Sequence, residues 1–398
     1  MKLGLGCERD PLDEAGLRAR GSLKWTEYPD AIGAFIAEMD FGIAPAVRRS
    51  LVEAAEAGMT SYLPAAVAAR HAMAVSDWLR CRYGWAVPAE RVRPVADVIA
   101  CLELAILRFS APDSPVIVPT PAYKPFLSVP RELGREVIEA PMSRASGRWL
   151  LEADVLERAF EAGGGLLILC NPANPVGTVY RRGELLEISR VVERHGGRVF
   201  ADEVHAPLIM EPGLEHVPYA SVSETAAGHA VTGTSAAKAW NIAGVKCAQF
   251  VLSNDADAET WQRHCLRAEN GASVLGVVAN TAAYSEGEEW LCGITEQLRE
   301  NRGRLLDLLS DRLPEVRCIA PEGTYMAWLE CGGLRLSGRP EEFFLERAGV
   351  ALTGGAGCGA GWEECVRFNF AMPSAVLERA VDRMASAVAV HRIEAATG

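Results

Sequence analysis

Between about residue 92 and Leu252 the chain repeats one pattern, a short apolar run, a turn and then an amphipathic stretch of ten or more residues. The apolar runs are Pro115-Val-Ile-Val-Pro119, Arg135 to Ala140, Gly165-Leu-Leu-Ile-Leu-Cys170, Arg198-Val-Phe-Ala201, the run bearing Thr232, and Cys247 to Leu252. Runs so short and so uniformly apolar are strands buried from both sides, and the stretches Val98 to Arg108, Glu152 to Gly163 and Arg182 to His195 are the helices that cover them. The fold class expected is α/β, a mostly parallel sheet with helices on both faces. Ligands of such sheets bind outside the carboxyl ends of the strands, so the residues just past each apolar run are where chemistry is sought first.

The flanks are different. Residues up to about Asp30 are mixed and turn-rich and read as an arm; Ala34 to Asp40 reads as a short strand. Helices are expected from Pro45 to Gly58 and from Ala65 to Tyr83, the second stopped by Gly84, with Tyr62 presented by the loop Thr60 to Pro64 between them. Past Asp255 come three helical stretches, Ala256 to Glu269, Ser273 to Ser285 and Glu289 to Leu313. Strands are then expected at Val316 to Ile319, Thr324 to Glu330, Val350 to Leu352 and Cys365 to Phe370, with helices near Pro340 to Ala348 and Ser374 to Val390. A chain of 398 residues with 49% hydrophobic content holds two cores. The expected division is an N-terminal arm with part of the small domain over 1–45, a large α/β domain over 46–290, and a small α+β domain over 291–398.

Composition excludes several partners. A net charge of -12 and a pI near 5.2 argue against nucleic acid and against an anionic membrane surface. No apolar run approaches the roughly 20 residues of a membrane span, and Met1 to Asp10 lacks the basic-then-apolar pattern of a leader, so a cytoplasmic location is expected. Eleven cysteines, from Cys7 to Cys365, form no C-x-x-C pair and no Cys/His cluster at metal spacing. They read as free thiols, and no metal is expected.

Three segments follow apolar runs and converge at one sheet edge: Asn171-Pro-Ala-Asn-Pro-Val-Gly177, Asp202-Glu-Val-His205, and Lys238 in Val231-Thr-Gly-Thr-Ser-Ala-Ala-Lys-Ala-Trp-Asn241. Lys238 is the only lysine between Lys124 and Lys246, and its neighbours Ala236, Ala237 and Ala239 disfavour an ammonium. An asparagine, a carboxylate and an isolated lysine at three strand ends are what a pyridoxal phosphate site requires. The lysine does Schiff-base chemistry, the aspartate keeps the pyridine nitrogen protonated, and donors near the phenolate oxygen tune the imine.

With Asn174 and Asp202 28 residues apart and Asp202 and Lys238 36 apart, the chain resembles the fold type I pyridoxal phosphate enzymes of the class I/II aminotransferase branch over essentially its whole length. The resemblance implies that Asn174 contacts the phenolate oxygen, that Asp202 pairs with the pyridine nitrogen and that His205 takes the place of the family's phenolate-contacting tyrosine. It implies that Ser235 and Lys246 contact the phosphate, with the Val98 and Ile99 amides facing the same group behind the helix cap Asp97. The resemblance also implies that Tyr123 stacks on the ring and that Arg367, a planar bidentate donor, grips the substrate α-carboxylate. The expected partners are an amino-acid substrate and a second copy of the chain, with sites at the subunit interface and Tyr62 reaching across.

Within that branch the sequence is most similar to the cystathionine β-lyase, or C-S lyase, group of the MalY/PatB type. Lys24-Trp25, Ala37-Glu-Met-Asp-Phe41, Pro119-Thr-Pro-Ala-Tyr123, Asp202 to His205, Lys238-Ala-Trp-Asn241 and Pro321-Glu-Gly-Thr-Tyr325 carry the similarity, which also puts Ala37 at the substrate. The chain departs from the group at Ser61-Tyr62, usually Gly-Tyr, and at Asp97-Val-Ile99, where a glycine is usual. The resemblance implies α,β-elimination from a cysteine-derived thioether to a thiol, pyruvate and ammonia, with Lys238, Asp202 and Tyr123 at the reacting centre. The same residues serve an aminotransferase, and an oxidative or decarboxylating enzyme acting on a sulfur-bearing amino acid; the group resemblance alone selects elimination.

Overall fold

The computed structural model describes residues 13–145 and 147–397. Met1 to Asp10 and Cys7 lie outside the described residues. The repeated apolar runs form a seven-stranded sheet from β1 (Val92–Val95), β2 (Val116–Thr120), β3 (Val137–Pro141), β4 (Leu166–Cys170), β5 (Arg198–Asp202), β6 (Ala230–Thr234) and β7 (Ala248–Leu252), in the order β1-β7-β6-β5-β4-β2-β3. All pairings are parallel except the two made by β7, which runs against both β1 and β6. The apolar runs are continuous because both faces are covered. Leu167, Leu169, Val199 and Ala201 point into one core, while Leu166, Ile168, Phe200 and Val231 point into another. Each such side chain contributes roughly 1.5–3 kcal/mol on burial.

A second, three-stranded antiparallel sheet joins Met326–Glu330, Cys365–Asn369 and Thr353–Gly354. The N-terminal stretch reaches this part of the molecule, since Ile32–Gly33 pairs in parallel with Val350–Ala351. The strand expected over Ala34 to Asp40 is not there. Ala34 and Asp40 at its ends bond backbone groups of Ala351, Asn369 and Ala371, but between them side chains rather than a neighbouring strand take the carbonyls, as described below. The expected strand Val316 to Ile319 is reduced to a single bridge between Arg317 and Glu330. The helix near Pro340 divides into an α turn, Pro340–Phe343, and a π turn, Phe344–Ala348, and the last helix runs on to Thr397. No helix among the described residues is long and apolar enough to cross a membrane.

Candidate active site

Strands β4, β5 and β6 are adjacent and parallel, with Cys170 opposite Asp202 and Asp202 opposite Gly233. Asn174, Asp202 and Lys238 therefore leave the sheet side by side at its carboxyl edge. Asp202 is buried; its Oδ1 accepts from Val204 N–H at 3.1 Å, and its Oδ2 has no hydrogen-bond partner among the described residues. Burial raises this carboxyl to about 7, against the pull of the Val204 N–H and the Lys238 ammonium. Lys238 lies behind a turn closed by Trp240 N–H to Ala236 O, and its Nζ is 3.4 Å from Ala37 O. Burial lowers its pKa and the Arg367 charge adds to this, while Asp202 and Glu38 oppose it, so a free amine is accessible here that an exposed lysine does not supply.

Arg367 comes from the small sheet and closes the site from the other side. Its Nη1 donates to Asn174 Oδ1 at 3.2 Å and its Nη2 to Phe35 O at 2.6 Å and Thr353 Oγ1 at 3.2 Å. The guanidinium is buried, and among the described residues no carboxylate pairs with it and its Nε has no hydrogen-bond partner. A buried cation without a counter-ion costs several kcal/mol, as does a buried carboxylate without one. Asp202, which burial holds partly protonated, and Arg367 are thus two buried ionisable groups in one site, neither paired with an oppositely charged side chain by a hydrogen bond among the described residues. Two neutral groups beside them also have free capacity: the Nδ2 amide of Asn174 and the Nε2 of His205 have no partner among the described residues. Tyr123, half-buried at the start of the helix Lys124–Glu132, packs edge-on against Phe126. Its phenol pKa is raised by burial and moved in opposite senses by Arg367 and Asp202.

The irregular segment 35–42 forms the near wall. Tyr325 Oη donates to Ala37 O at 3.0 Å, Asn369 Nδ2 to Ile36 O and Glu38 O, and Asn241 bonds Met39 N–H, Met39 O and Gly42 O. Behind it Lys24 and Asp40 make a buried ion pair at 3.0 Å, and the Trp25 indole donates to the other Asp40 oxygen at 2.8 Å. Removing one partner of such a pair costs roughly 3–5 kcal/mol. Lys24, Asp40, Asn241, Tyr325 and Asn369 have no site role in the sequence reading, although all stand in stretches it singles out.

The opposite end is open. Asp97 caps the helix Val98–Arg108, Oδ1 accepting from Ala100 N–H at 2.9 Å, as expected of it. Its Oδ2 pairs with Lys246 Nζ at 2.8 Å. Burial pushes the Asp97 carboxyl up, but the Lys246 and Ala100 bonds outweigh this and hold it below the usual range. Lys246, expected as a free phosphate ligand, is engaged by that carboxylate, and its side chain is 60% exposed. The buried Ser235 hydroxyl donates to Cys247 O at 2.7 Å and accepts from Ala237 N–H at 3.0 Å, so its proton is spent on shaping the turn before Lys238. Tyr62 is 97% exposed, although its neighbours Met59 and Leu63 pack against the cluster containing Cys247 and Val277.

Residues 35–384 match the family of class I and II aminotransferases. The chain is 36% identical to the cystathionine beta-lyase of Corynebacterium glutamicum, covering 93% of this chain and 97% of that protein. A solved structure assigned to a pyridoxal-phosphate-dependent beta-cystathionase from Corynebacterium diphtheriae superposes with a TM-score of 0.91 at 37% identity, covering 96% of this chain and 99% of that one. The pyridoxal-phosphate-bound C-S lyase of Staphylococcus hominis superposes with a TM-score of 0.87 at 25% identity, covering 95% and 98%. The buried strand-end constellation and the whole-length similarity agree, and the chain belongs to the class I and II aminotransferase family.

Proposed function

We propose that the protein is a pyridoxal-phosphate-dependent C-S β-lyase, which converts a cysteine-derived thioether and water to a thiol, pyruvate and ammonia. The observation that carries the reading is a pair of buried groups beside Lys238, the Asp202 carboxyl with a free Oδ2 and the Arg367 guanidinium with no carboxylate partner among the described residues. A pyridinium supplies the cation that Asp202 lacks and an amino-acid carboxylate the anion that Arg367 lacks, which is why these residues fit the cofactor and its substrate. Asn174 Nδ2 and His205 Nε2 are the free groups for the phenolate oxygen, and Tyr123 is the aromatic face for the ring. When bound, pyridoxal phosphate supplies an aldehyde for imine formation and a ring that draws electrons from the substrate α-carbon. Arg367 orients the α-carboxylate, the Lys238 amine takes the α-proton, and Asp202 holds the proton on the ring nitrogen throughout. The Lys238 ammonium so formed would be the acid available to the departing sulfur.

Elimination, rather than transamination by the same residues, is supported by the relatives, whose names are those of carbon-sulfur lyases. We further propose a homodimer in which Tyr62 of one copy serves the phosphate end of the other, since Tyr62 is 97% exposed. The large domain is proposed over 46–290 and the small one over 291–398, with 1–45 an arm that completes the small domain. Purified protein given a panel of cysteine S-conjugates, with and without a keto acid, tests the reaction. Thiol, pyruvate and ammonia should accumulate over many turnovers with no keto acid present. A single stoichiometric turnover that a keto acid restarts would replace the lyase by an aminotransferase.

A further inference from the structure

Thr324 lies at φ +60° and is the only β-branched residue among the described residues in the left-handed region. This conformation is a genuine outlier for a β-branched side chain, and it persists only where surrounding contacts over-determine it. Here they do. Thr324 N–H donates to Leu208 O at 2.8 Å, Glu322 and Gly323 both donate to Gly177 O at 2.9 Å, and Ile209 bridges Gly323. The Glu322 carboxylate is bound by Arg148, Arg181 and the Val179 N–H. The loop 321–325 is thereby fastened to the turns that follow β4 and β5, the strands that deliver Asn174 and Asp202. What the strained backbone gains is the position of one hydroxyl, with Thr324 Oγ1 2.9 Å from His205 Nδ1.

Both residues are buried, and Thr324 Oγ1 has no other hydrogen-bond partner among the described residues. Burial, with the charges of Lys238 and Arg367, lowers the His205 pKa to about 3, so the imidazole is neutral and carries one N–H. A proton on Nδ1 leaves the threonine hydroxyl hydrogen buried without an acceptor. A bare Nδ1 accepts that hydrogen and satisfies both groups. We propose that Thr324 is a positioning residue whose hydroxyl donates to His205 Nδ1, locking the histidine as an Nε2–H donor facing the phenolate oxygen of the bound cofactor. The tautomer stands on hydrogen-bond accounting alone; only the recipient of the Nε2 proton rests on the cofactor reading above.

Nitrogen NMR of the isotopically labelled full-length chain, with and without pyridoxal phosphate, reads the tautomer directly, and a His205→Asn variant identifies the signal among the seven histidines. A bare Nδ1 and a protonated Nε2 are expected in both samples. A protonated Nδ1 in the cofactor-free chain overturns the proposal, whether or not the cofactor binds. Thr324→Ser should keep the pattern and the cofactor affinity. Thr324→Gly, whose backbone is at ease at this φ, should give a mixed tautomer signal and bind pyridoxal phosphate about tenfold more weakly, the loss of roughly one hydrogen bond to a charged group. A glycine variant with unchanged tautomer and affinity, or a serine variant that behaves like the glycine one, removes Thr324 from this role.

Discussion

Asp202, His205 and Arg367 are buried and Lys238 half-buried, held by three distant stretches of one chain, whereas Asp97, Lys246 and Tyr62 at the other end of the site reach solvent. At the first end the Arg367 guanidinium has no carboxylate partner, and Arg367 Nε and Asp202 Oδ2 have no hydrogen-bond partner among the described residues. At the second, Lys246 and Asp97 already pair across 2.8 Å and the Tyr62 side chain is almost fully exposed. A buried charge without a partner is stable only because something binds there, so the ring end reads as a site completed by ligand. An exposed ion pair is worth little by itself, so the second end gains little from its own charges and is where the proposed second copy would act.

The sharpest way to break this contrast is at Lys238. Lys238→Ala should lower turnover by on the order of 10³ or more, because proton transfer and imine exchange are both lost. Borohydride reduction of the wild-type holoenzyme followed by peptide mapping should place the pyridoxyl group on Lys238; finding it on Lys124 or Lys246 would move the site to the exposed side. Asp202→Asn should still bind cofactor yet lose on the order of 10² in turnover, since an amide does not hold a pyridinium. The same carboxyl has a signature in the cofactor-free protein. Unfolded, it ionises near its ordinary 3.8, while folded it holds its proton to about 7. Between those values the folded state binds the extra proton, so raising the pH favours unfolding. The cofactor-free chain should therefore lose on the order of a few kcal/mol from this group as pH rises through that window. Asp202→Asn should flatten that part of the melting-temperature profile, and an unchanged profile would show the carboxyl to be already neutralised. The smallest effect belongs to the exposed end. Asp97→Asn keeps the cap acceptor and releases Lys246, and pyridoxal phosphate titrated into that variant should bind a few-fold tighter, not looser.

The same contrast governs what the sequence makes legible. Asn174, Asp202 and Lys238 stand out because each ends an apolar run, and a parallel sheet brings such ends together whatever the details of the loops. The segment Ala34 to Asp40 looks like a strand from its composition, but Arg367, Asn369, Tyr325 and Asn241 take its carbonyls from about 200 to 330 residues away, and no local rule shows bonds of that span. Ser235 sits at the family's phosphate position, yet whether its hydroxyl is free depends on the carbonyl of Cys247, twelve residues on. Thr324 was present in a motif, but the left-handed backbone that gives it a purpose is imposed by Leu208 and Gly177. The apolar periodicity encodes the sheet; the side-chain ties that aim the site are long-range and appear only once the chain is folded.

The most direct test of the two-ended account mixes two damaged chains, Lys238→Ala and Tyr62→Ala. If the ring end is complete within one copy and Tyr62 acts across a twofold interface, a hybrid dimer has one site with both lesions and one with neither. Equal mixing after dissociation and reassembly should then restore about a quarter of the wild-type rate, because half the dimers are hybrids and each has one intact site. A mixture no more active than the sum of its separate components would place Tyr62 and Lys238 in the same subunit's site, or Tyr62 in none, and would contradict the account.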